Sequence, residues 1–212
     1  MLCGAFGLLV SLWNETNVIT LITWFISLVV ITAGRYYIVL QYHHSEKRPE
    51  EYLYWLNIYS IGTVFSGVIW GSTAYLLPTN NSLVELGLIT MFMLVVISGS
   101  IGIYSVFKRV YYALSLPTIL PLILFLALQN NVQLNSLSLI TSIFAFFIFT
   151  VHYHTHKMTT QLLLTKFDNK VLIDNYENDQ DRINILEKLN RTRTQQLEKA
   201  KQELDYIKNQ KN

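Results

Sequence analysis

Five histidines are the residues whose type and spacing come nearest to chemistry. His152, His154 and His156 follow one another at alternate positions, and His43 and His44 are adjacent. On a helix His152 and His156 stand at i and i+4 on one face, a spacing that can clamp a metal ion. His43 and His44 fall at the same membrane face, so a shared site is conceivable, but no acidic or Cys ligand is adjacent, and the chain has one cysteine, Cys3, in an apolar stretch where it reads as a small buried residue. His152 and His156 are therefore only weak metal candidates, and no metal, cofactor or disulfide is expected. His43-His44-Ser45-Glu46-Lys47-Arg48-Pro49 has the look of a phospho-accepting histidine box. It falls in a short connection between apolar segments, and the chain has no Gly-rich nucleotide loop, so that reading fails. No nucleophile stands beside a base, no carboxylates are paired and no phosphate cradle is present. The residues point away from an enzyme.

The elements that would position these side chains are apolar. Of 212 residues 51% are hydrophobic and only 14% charged, against about 25% charged in a soluble domain. Mean hydropathy is +0.32. A net charge of +2 and the lack of clustered Lys and Arg among aromatics exclude a nucleic-acid groove. A membrane helix needs about 20 mostly apolar residues, because the hydrocarbon core is about 30 Å thick and each residue rises about 1.5 Å. Val18 to Leu40, Tyr54 to Leu77, Leu83 to Phe107, Val110 to Leu128 and Leu134 to Tyr153 meet that length. Leu2 to Trp13 is apolar but short, and it lacks the basic flank and small-residue cleavage site of a signal peptide.

The connections set an orientation. Asn14 to Asn17, Pro78 to Asn81 and Gln129 to Gln133 carry no Lys or Arg. The alternate connections carry Lys47 and Arg48, with Arg35 nearby, then Lys108 and Arg109, and the C-terminal tail carries the rest. The positive-inside rule makes that face cytoplasmic. The alternation is unbroken only if Leu2 to Trp13 also crosses, which implies six spans, both termini inside, and a first helix trimmed at its start. Trp13, Tyr52, Tyr54, Trp55, Tyr75, Tyr111, Tyr112 and Tyr153 sit where interfacial anchors belong. Arg35 and Glu85, the only near-membrane charges of note, are expected to snorkel to an interface. Small residues at Gly62, Ser66 and Gly67, and at Ser98, Gly99, Ser100 and Gly102, suit close helix approach, and Pro117 and Pro121 suit a kink.

After His156 polar residues dominate, with no Pro or Gly. Ile183, Asn190, Leu197 and Leu204 recur at heptad position a, and Leu186, Arg193, Ala200 and Ile207 at d; upstream the pattern takes in Leu172 and Tyr176. A single Asn at a favours a two-stranded coil. The fold class expected is thus all-α: a polytopic transmembrane bundle over residues 1–155 and a cytoplasmic signalling helix or coiled coil over 156–212, forming a homodimer.

Trp55, Ser66-Gly67-Val68-Ile69-Trp70-Gly71, Pro78, Ser98-Gly99-Ser100-Ile101-Gly102 and Leu116-Pro117-Thr118-Ile119-Leu120-Pro121 form a further pattern, which Trp24 and Arg35 also fit. It resembles the N-terminal multi-pass sensor module of bacterial hybrid histidine kinases and diguanylate cyclases. Lys166-Phe167-Asp168-Asn169-Lys170-Val171-Leu172 resembles the run that opens the signalling helix in such proteins. The resemblance covers most of the chain and implies helix packing at Gly67, Trp70, Gly71, Gly99, Gly102, Pro117 and Pro121, an inner-membrane location, and a role in signal input with a cytoplasmic signalling partner. The kinase or cyclase domain of the family is expected to follow the signalling helix. The sequence stops at Asn212, so the chain reads as a fragment or an output-less remnant, and the family's activity does not carry over.

Two other classes remain open: a small transporter or channel subunit, and a membrane scaffold that recruits a soluble partner through its coil. Against the first stands the apparent lack of buried charge along the spans.

The one-sided placement of Lys and Arg makes the topology testable. Reporter fusions after Asn80 and Asn131 should read extracytoplasmic and those after Arg48, Arg109 and Asn212 cytoplasmic; a cytoplasmic signal at Asn80 would sink the six-span reading.

Overall fold

A computed structural model describes residues 1–45, 51–78 and 82–210, and the side chains of these apart from 199, 200 and 202–210. Lys47, Arg48, Asn80 and Asn81 lie outside the described residues, as do the side chains of Ala200, Leu204 and Ile207. The described chain is all-helical: α1 Leu2–Ser11, α2 Val18–His44, α3 Tyr52–Leu76, α4 Leu83–Ile103, α5 Lys108–Ala127 and α6 Val132–Gln210. It divides into two compact units, Met1–Thr160 and Gln161–Asn212.

The polar connections also start the helices. Asn17 caps α2 by accepting from the Ile19 amide at 3.0 Å, and Asn131 accepts from the Gln133 amide at 2.9 Å at the head of α6. Ser82 and Glu85 form a reciprocal capping box on α4, which satisfies amides that have no partner within the helix. Glu85 is therefore buried in a cap and does not snorkel.

Among the described residues four helices are long and apolar enough to cross a membrane: α2, α4, α5 and the apolar part of α6. α3 has 25 residues and no charged side chain but is not among the four. Its core-facing stripe of Ser60, Thr63, Ser66, Gly67 and Thr73 lowers its hydropathy. Ser60, Thr63 and Ser66 each donate to the carbonyl four residues back, at 2.7, 2.8 and 3.1 Å, so these hydroxyls are satisfied without water. α1 has 10 residues, about half the length of a span.

In the first unit, α3 lies at the centre and packs most closely on α5 and α2. The reason is steric. A Cβ added at Gly67 would stand 2.6 Å from the Leu114 carbonyl oxygen, and one at Gly71 would overlap the Pro117 carbonyl oxygen. α5 runs through Pro117 and Pro121 as one helix. Pro121 leaves the Pro117 carbonyl without its usual donor, and Gly71 occupies the space beside it. Gly99 and Gly102 behave otherwise: an added Cβ would meet nothing within 4 Å, so the close packing expected there is not found. Trp70, fully buried, meets Trp24 edge-on at 5.4 Å, and the Trp24 indole N–H donates to the Ile69 carbonyl at 3.1 Å. Cys3, expected to be buried, is exposed on α1.

Gly71→Ala should destabilise the bundle by about 1–3 kcal/mol, the usual range for overpacking, while Gly99→Ala should leave it unchanged or slightly firmer. Thermal unfolding of the purified chain in a mild detergent distinguishes the two; equal behaviour would mean the α3–α5 contact is not this close.

Candidate functional site

Arg35 sits on α2, 6% exposed. The expected snorkelling does not occur; the side chain turns into the bundle, toward hydroxyls on α3 and in the turn after α4. It donates to the Tyr59 hydroxyl at 2.7 Å, to the Tyr104 hydroxyl, to the Ser66 hydroxyl at 3.3 Å and to the Met1 sulfur at 3.7 Å. The guanidinium also lies over the Tyr59 ring, 4.7 Å from its centroid, where the ring quadrupole attracts a cation. Gly62 makes room: a Cβ there would stand 2.9 Å from Arg35 Cγ. Four side chains thus converge on one cation, and every partner is neutral. Nε is buried with no hydrogen-bond partner.

Beside this cluster lies a cavity of about 300 Å³. Tyr59 and Tyr104 line it, together with Tyr42, Trp55, Leu56 and Phe107. It is an aromatic, nearly apolar chamber with the buried arginine behind two of its phenols.

A second cluster occupies the α5–α6 contact. His152 is fully buried and stacks on the equally buried Tyr111, with centroids 3.6 Å apart and planes 14° from parallel. Neither His152 ring nitrogen nor the Tyr111 hydroxyl has a hydrogen-bond partner. Tyr111 is thus part of the core, whereas its sequence position suggested an interfacial anchor. Lys108 lies over the rings of Tyr112 and Tyr153 at 6.0 and 5.8 Å. His156 Nδ1–H donates to the Ser105 carbonyl at 2.8 Å; since a carbonyl only accepts, this fixes the proton on Nδ1.

These positions answer the metal question residue by residue. The His152 and His156 rings are 6.3 Å apart, one ring is stacked on tyrosine and the other is committed to a carbonyl. Among the described residues no three His, Cys, Asp or Glu side chains come together as a metal set. The sequence pattern found Arg35, Ser66 and Trp70 without indicating that the first two touch. It missed Tyr59 and Tyr104 altogether, because an aromatic in a membrane helix gives no sign in sequence of whether its hydroxyl is used.

The neutral lining predicts its own energetics. Tyr59→Phe and Tyr104→Phe should each lower stability by about 1.5–3 kcal/mol, the range for a hydrogen bond to a charged group. Both act on the same Nη2 atom, so the double variant should depart from additivity by about 0.5 kcal/mol or more. Unfolding midpoints of the single and double variants check this, and strict additivity would show that the two phenols do not share the cation. No protein-family model, curated protein or solved structure matches the chain.

Proposed function

We propose that this chain is a membrane signal-input module: a bundle whose internal state is passed to a C-terminal helix that pairs with the same helix of a second copy. The observation that carries the reading is the short turn after α4. Tyr104, in that turn, accepts from Arg35 of α2. Ser105, the next residue, accepts from His156 of α6 at 2.8 Å. A displacement of the Arg35 cluster therefore acts on two adjacent residues, one of which is bonded to α6. His156 and the heptad lie on the same helix, α6, of 79 residues, which is the route by which the module would pass on a shift or rotation. Rigid helices moving by small shifts are an established mode of switching.

The tail supports pairing. Ile183, Leu186 and Leu197 are exposed in the single chain, which leaves apolar surface to be covered. The partner we assign is a second copy in parallel, because two tails on one membrane face run in the same direction and Asn190 at a suits a two-stranded coil. In this reading the module is an inner-membrane protein of about six spans with both termini cytoplasmic, and output is delivered through a cytoplasmic domain or partner. It has no catalytic role of its own.

A transporter or channel subunit is the second reading, and the buried Arg35 favours it: the lack of buried charge that argued against it from sequence does not hold. The two separate at the tail, which a transporter has no need to couple.

Cysteines placed singly at Ile183 or Leu197, with Cys3 replaced, should cross-link between copies in membranes, and those at Lys188 or Gln195 should not. Tyr104→Phe should change the cross-linking equilibrium by about 0.5–2 kcal/mol, the usual scale of such coupling, and His156→Ala should abolish that response. Equal cross-linking on all faces would overturn the pairing. Cross-linking that ignores Tyr104→Phe would overturn the signal-input reading in favour of a scaffold.

A further inference from the structure

Arg35 has five N–H donors and no acceptor. Four side chains receive those of the two Nη atoms, all neutral, and Nε has no hydrogen-bond partner. Among the described residues no carboxylate neutralises the guanidinium. A buried charge without a counter-charge is strongly unfavourable, and in a membrane helix it marks a site. The phenols add to the imbalance. Tyr59 and Tyr104 each accept from Arg35, so each still has its own O–H to donate. Their oxygens are 3.5 Å apart, which allows one phenol to donate to the other and leaves one phenolic proton without a protein acceptor among the described residues. The cluster therefore combines a positive charge with surplus donors, the complement of a small anion with two acceptor oxygens.

The space beside it says what the anion is attached to. The cavity lined by Tyr59 and Tyr104 is otherwise walled by apolar and aromatic side chains. Its volume, about 300 Å³, is at the lower end of ligand pockets, which run from about 300 to 1,000 Å³. That is room for one slender chain. A planar carboxylate can accept from two neighbouring O–H groups, and hydrogen bonds to a charged acceptor are the strong ones.

We propose that the cavity binds a single-chain amphiphile with a carboxylate head, the head held by the Tyr59 and Tyr104 hydroxyls against the charge of Arg35 behind them and the chain lying against Trp55, Leu56 and Phe107. As the stimulus of the module, this ligand rests on the signal-input reading; as a binding site it stands alone. The ligand supplies the missing counter-charge, so the occupied cluster is the neutral one.

The test uses the full chain in a non-ionic detergent at mildly alkaline pH, with dodecanoate brominated at its methyl end as the probe. Bromine quenches tryptophan at short range, so saturable quenching should be seen and should be lost in Trp55→Phe. Unbrominated dodecanoate should compete about tenfold better than dodecanol, as a hydrogen-bonded charge requires. Arg35→Gln should remove that preference. Because Arg35 also holds the helices together, Tyr104→Phe provides a second variant, which keeps the charge and should weaken the carboxylate about tenfold while leaving the alcohol unchanged. Equal competition by dodecanol, dodecylamine and dodecanoate would overturn the proposal and leave an apolar crevice for acyl chains. Quenching that survives Trp55→Phe would place the probe elsewhere, and relief by phosphatidylglycerol at the same concentration as dodecanoate would assign the site to a bilayer headgroup; either overturns it. If dodecanoate binds as described but leaves the tail cross-linking of Ile183 and Leu197 unmoved, the site stands and the signal-input reading is what fails.

Discussion

A single buried cation organises the bundle. Arg35 is fixed by α3 through Tyr59 and Ser66, by the end of α4 through Tyr104 and by Met1 ahead of α1. Lipid offers no water to solvate a charge, so the guanidinium must be solvated by protein. Protein solvation of this kind is directional: each hydroxyl must stand within hydrogen-bond reach, and each helix that carries one must be held in register. This explains why Gly62 lies against the arginine stem. A side chain at that position would displace the cation from its hydroxyls.

The same constraint accounts for the character of α3. Helices in lipid gain little from apolar contact with one another, so close approach and hydrogen bonds decide which pairs form. α3 carries small residues toward both of its main neighbours. Gly67 and Gly71 admit the α5 backbone, and Gly62 and Ser66 admit Arg35 of α2. The Ser60, Thr63 and Ser66 hydroxyls bond back to their own helix, so they take up little space at the interface. The low hydropathy that sets α3 apart from the candidate spans is thus the consequence of its central position.

How far this could be read in the sequence depends on the kind of signal. Helix number and approximate bounds were legible, because apolar length and Asn- and Ser-bearing connections are local features, and the connections proved to be caps at Asn17, Ser82 and Asn131. The small-residue rule was right at Gly67 and Gly71 and misplaced at Gly99 and Gly102, since a glycine does not carry in sequence which face its neighbour occupies. Arg35 was identified as a charge, but its fate was misjudged: from one helix alone, a long flexible side chain near a span end can always reach water. Burial follows only when two phenols on other helices are brought to the same height, and that is a property of the packing. The surroundings of the histidines were not legible for a related reason. Spacing gives two rings on one face, but it does not show that Tyr111 covers one ring and a carbonyl holds the other.

The turn at Tyr104 and Ser105 is where these threads meet. Its two residues use different atoms: Tyr104 its side-chain hydroxyl toward Arg35, and Ser105 its backbone carbonyl toward His156. A side chain can give way by changing rotamer, but a carbonyl moves only with the chain. The cavity side of the turn is therefore the adjustable one and the α6 side the stiff one. Any occupant that rearranges the phenols first meets a compliant group. Only when that group reaches the limit of its rotamer does the backbone follow, and with it the hydrogen bond to His156. On the signal-input reading, such an arrangement would pass on large rearrangements of the arginine cluster and absorb small ones.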